Sequence, residues 1–65
     1  MEWIEVKVAG GPGGPANGFK IFAGRISPAG EVQENFLARV GDYAVAMKVA
    51  RAIALARGIE VSLPS

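Results

Sequence analysis

The segment GGPGGPANG at positions 10–18 allows neither a helix nor a strand to run through it. Pro12 and Pro15 each remove a backbone donor, and glycine in a regular element costs conformational entropy. Whatever precedes this break must form structure within nine residues, which is short for a helix and ample for a strand. The sequence there, EWIEVKV (2–8), alternates. Ile4, Val6 and Val8 share one face, and Trp3, Glu5 and Lys7 share the other. After the break, FKIFAGRI (19–26) places Phe19, Ile21 and Ala23 on one side and Lys20 and Phe22 on the other. The break therefore reads as a long, flexible hairpin connector over residues 9–18.

A second hairpin follows. SPAG (27–30) has Pro second and Gly fourth, the pattern of a type I turn. EVQENFLARV (31–40) is then a third strand. Alternation predicts Val32, Phe36, Ala38 and Val40 inward, with Gln33, Asn35, Leu37 and Arg39 outward. Gly41 ends the strand pattern, and Asp42 suits a helix N-cap. YAVAMKVARAIALAR (43–57) predicts an alanine-rich helix of about four turns. Gly58 is placed to stop it, and IEVSL (59–63) reads as a short closing strand. The expected fold is α+β, a three-stranded antiparallel meander packed by one helix with a short C-terminal strand, βββαβ. Residues 1–65 form one small domain.

A chain this short buries only about 60% of the surface its unfolded state exposes. It has no cysteine, so disulfides and thiolate-held zinc are unavailable to supplement the core. Self-association is one remedy. The composition, 51% apolar and 20% charged, is that of a globular protein. No apolar run approaches the length of a membrane span. The acidic, alternating start, MEWIE, does not read as a signal peptide, so a cytoplasmic protein is expected.

Catalytic chemistry is poorly supplied. Without His or Cys there is neither a near-neutral imidazole base nor a thiolate nucleophile. Ser27, Ser62 and Ser65 have no evident activating base. Glu31 and Glu34, like Glu2 and Glu5, are spaced to opposite faces of their strands. The glycine segment lacks the G-x-x-x-x-G-K-[ST] pattern and opens into a strand, whereas phosphate loops open into a helix. No enzyme, cofactor, nucleotide or metal site is expected.

Two surfaces invite a partner. On the helix, Val45, Val49, Ala52, Ile53 and Ala56 form the stripe expected to pack on the sheet. That leaves Tyr43, Met47, Ala50, Ala54 and Leu55 as a second apolar face for another chain. On the sheet, Trp3, Phe22 and Leu37 would be exposed together. Both point to a small non-catalytic protein-binding module, self-associating as a homodimer, with a size compatible with a phage- or mobile-element-encoded accessory protein. The alternative is nucleic-acid binding through the open sheet face, with Lys7, Lys20, Arg25 and Arg39 on phosphates and Trp3 or Phe22 as a stacking residue. In outline, three strands backed by one helix are similar to the arm-site-binding domains of phage-type integrases. The similarity is one of topology, and it implies DNA contact through the sheet.

Overall fold

A computed structural model describes residues 1–11, 13 and 17–62. Strands β1 (Glu2–Val8), β2 (Phe19–Ile26) and β3 (Val32–Val40) precede helix α1 (Tyr43–Arg57) and strand β4 (Glu60–Ser62). The α+β class and the βββαβ order are those the sequence predicts. The first three strands form the antiparallel meander. Strand β4 adds to the other side of β1 and runs parallel to it, so the sheet is mixed, in the order β3-β2-β1-β4. Parallel pairing follows from the helix, which carries the chain across one face before β4 begins. Of the glycine segment, Pro12, Gly14, Pro15 and Ala16 lie outside the described residues, as do 63–65, including Leu63.

Local signals explain the boundaries. The Asp42 carboxylate accepts from Val45 N–H at 3.1 Å, satisfying a donor that the first helical turn leaves open. At the other end Gly58 adopts φ 68° and ψ 34°, and Ile59 N–H reaches back to the Ala54 carbonyl at 2.9 Å. This Schellman closure needs a left-handed residue, which glycine provides without a Cβ clash. The β1–β2 connection is closed at its base by Ala9 N–H to the Gly18 carbonyl at 2.9 Å. Gly30 N–H bonds the Ser27 carbonyl at 2.9 Å, closing the turn predicted at SPAG.

The core lies between the helix and one face of the sheet. Ile4, Val6, Phe19 and Ile21 come from the strands, and Ala46, Met47, Ala50 and Ala54 from the helix. The division by size corrects the expected helix phase. Val45, Ala52 and Ala56 are exposed, Val49 and Ile53 are only half-buried, and the alanine ridge faces the sheet. Large β-branched and aromatic side chains rise from the strands, so the helix approaches closely only on its small residues. Met47 fills the irregular space beside them.

Strand β3 departs from the predicted alternation as well. Ile21 pairs with Ala38, but its neighbour Phe22 pairs with Phe36, so Leu37 is an extra residue in a β-bulge. The bulge changes the phase of everything before it. Ala38 and Val40 pack against the core as expected, and Leu37 joins them instead of facing outward. Phe36 and Val32, expected inward, are 58% and 61% exposed. Val8 is likewise exposed rather than buried, at the end of its strand.

Candidate functional site: the open face of the sheet

The face away from the helix is assembled row by row from the strand register. Val32 is paired with Ile26, and Met1 precedes β1 at the same end; all three are exposed. The next row carries Glu34, Gly24, Trp3 and Glu60, and the one after it Phe36, Phe22, Glu5 and Ser62. The last row sets Arg39, Lys20 and Lys7 directly across from one another. Three like charges in cross-strand register repel, so this row persists only with compensation from elsewhere.

Lys7 shows that compensation. Its ammonium lies 2.8 Å from Glu34 and 3.2 Å from Glu5, and 5.1 Å from the centre of the Phe22 ring. The Glu34 and Glu5 carboxylates raise the Lys7 pKa, and the Lys7 hydrogen bond holds Glu34 below its ordinary value. Arg39 is held differently: Nη2 donates to the Asn17 carbonyl at 2.6 Å, tying β3 to the end of the glycine segment.

The aromatic centre is formed by Phe22 and Phe36, edge to face with centroids 5.8 Å apart. Trp3 takes a different place. Its indole lies over Gly24, where a Cβ would clash with Cε2, Nε1 and Cζ2 of the ring. The absent side chain is what admits the ring, and Trp3 is half-buried as a result.

The residues singled out from the sequence are thus divided among several places. Trp3, Phe22, Lys7, Lys20 and Arg39 share the open face. Leu37 does not; the bulge turns it to the core. Arg25 lies on the helix side, where its Nε donates to Gln33 Oε1 at 2.9 Å, so the four expected phosphate contacts do not share one surface. Met47, Ala50 and Ala54, read as a partner face, are buried. Tyr43 packs edge-on against Phe19 at 5.3 Å, and Leu55 is 84% exposed on the far side of the helix, so these five residues do not form one exposed face. The alternation reading missed Phe36, Val32 and Ile26 on the open face. The adjacent pair Phe36-Leu37 was the available signal, since two large apolar neighbours in one strand cannot both follow strict alternation.

The helix-side end of the sheet carries a shallow notch of about 130 Å³ lined by Glu2, Asn35, Arg25 and Arg57 among others. It is below the usual size of a small-molecule pocket. No helix among the described residues is long and apolar enough to cross a membrane. No family model matches the chain, and comparison with curated proteins and with solved structures finds no significant match.

Proposed function

We propose that the chain is a small non-catalytic protein-binding module whose contact surface is the open sheet face. The observation that carries this reading is the Phe22–Phe36 pair, half-buried and exposed respectively, continued along the strands by exposed Ile26, Val32 and Met1. Apolar side chains gathered on one flat surface gain free energy when a partner removes them from water, by about 25 cal/mol per Å². Aromatic residues are also the common anchors of protein interfaces. Polar groups around them, Lys20, Arg39 and Glu60, supply the rim.

The row Arg39–Lys20–Lys7 favours nucleic acid as the second reading, since it could follow a phosphate backbone. Against it stand the carboxylates of Glu5, Glu34 and Glu60 on the same face, two of which already hold Lys7. A polyanion would have to displace or repel them.

A photoreactive amino acid at position 36 tests the reading in the source cell, with position 48 on the exposed helix surface as control. The expected result is protein adducts from position 36 and none from position 48. Nucleic-acid adducts at 36, or no adduct, would overturn it.

A further inference from the structure

The open face is electrically balanced, but its charges are sorted. Lys20 and Arg39 occupy the row on one side of the Phe22–Phe36 row, and Glu34 and Glu60 the row on the other; Lys7 reaches across the Phe22 ring to Glu34 and Glu5, leaving those three groups one net negative charge. Successive rows on one face of a sheet are about 6.8 Å apart, two residues along the strand. The cationic and acidic rows are therefore about equally far from the aromatic centre. A partner of uniform charge would gain at one end what it lost at the other. A partner with the same polarised pattern, turned end for end, meets opposite charge at both.

From this complementarity we propose that the partner is a second copy of the chain, packed sheet to sheet about a two-fold axis passing near Phe22 and Phe36. The inference rests on the open face being the contact surface and names what covers it. A two-fold contact repeats every pairing, so the row of Lys20 and Arg39 on each copy lies over the row of Glu34 and Glu60 on the other. The aromatic pairs meet at the axis. The exposed row of Met1, Ile26 and Val32 then extends past the partner's cationic row towards the base of its β1–β2 connection. The product is a sandwich with a helix on each outer side, in which the face that one small domain leaves open becomes an inner layer.

Light scattering across a dilution series, from near-millimolar to low micromolar protein, tests the proposal with two charge-reversed variants. One carries Lys20→Glu and Arg39→Glu; the other carries Glu34→Lys and Glu60→Lys. Circular dichroism verifies that each is folded. The wild type is expected to show dimer mass that falls on dilution. Each variant alone places like charge against like charge and should associate about a hundredfold more weakly. Mixing the two restores opposite charges at both ends, so a dimer of the two variants should re-form. A wild type that stays monomeric throughout, or a mixture that fails to recover dimer mass, overturns the proposal. Should one variant misfold, Phe36→Ser replaces it, and a dimer unaffected by that change is equally contrary. If the wild type is monomeric while position 36 still captures a different protein in cells, the binding-module reading stands and the second-copy inference fails. If position 36 captures no protein, the reading itself fails.

Discussion

Phe22 and Phe36 face each other across β2 and β3 with ring centroids 5.8 Å apart, and they do so because Leu37 beside them has no cross-strand partner. The bulge performs two tasks at once. It sends Leu37 to the core and puts a second phenylalanine on the open face, beside Phe22. A regular strand would have buried Phe36 and exposed Leu37.

Leu37→Glu and Phe36→Glu should therefore differ sharply in urea unfolding. The first puts a carboxylate against the core and should remove several kcal/mol, a large part of the roughly 3–10 kcal/mol expected of a domain this size. The second exchanges a mostly exposed ring for a charge and should forfeit little more than the aromatic pairing, about 0.5–1.5 kcal/mol. Equal losses would contradict the bulged register.

The helix phase makes a similar contrast. Ala50 is fully buried, so Ala50→Leu overpacks the space under the helix and should cost about 1–3 kcal/mol. Leu55→Lys changes a side chain that is 84% exposed and should move stability by no more than about 0.5 kcal/mol. Thermal unfolding of both variants checks the pair of expectations.

Much of this was legible in the sequence, and the failures have a common physical cause. The glycine segment, the SPAG turn, Asp42 and Gly58 each carry a local chemical signal, and the element order follows from them. The phase of Ile4, Val6 and Ile21 was also readable, because their strands alternate without interruption. What alternation could not reveal was a single extra residue in β3, which reverses the facing of Phe36 and Leu37. The helix face misleads because Val45, Val49 and Ile53 have the spacing of a packing stripe. The strands had already filled that space with Ile4, Val6, Phe19 and Ile21, leaving the helix to contribute alanines. The parallel pairing of β4 with β1 was not legible, since no local signal in IEVSL says which strand it joins.

Gly24→Ala probes the contact between Gly24 and Trp3. The new methyl group would clash with the indole, so the ring must shift from its seat, at a cost of about 1–3 kcal/mol and with a red shift in tryptophan fluorescence. In a Trp3→Ala background the same change should be neutral or slightly stabilising, because the obstacle is gone and the unfolded chain loses freedom. Urea unfolding of the double-mutant cycle reads the coupling.

The ion pair across the face sets a pH dependence. Glu34 titrates below its ordinary value when folded, so its contribution is present above the usual glutamate range and is lost as pH falls through the depressed value. Lys7 titrates above its ordinary value, so its contribution holds up to the usual lysine range and is lost as pH rises further. Carbon-detected NMR titration should show Glu34 protonating below the usual glutamate range, and Lys7→Met should move it back up. An unchanged Glu34 titration in that variant would contradict the pairing.

The claim that a second copy covers the open sheet face is tested most directly by amide and aromatic NMR shifts recorded from near-millimolar to micromolar protein. The account predicts that Phe22, Phe36, Lys20 and Glu34 shift together on dilution, while Lys48, Arg51 and Leu55 on the outer side of the helix stay fixed. Concentration-dependent shifts confined to the helix, or none on the sheet, would contradict it.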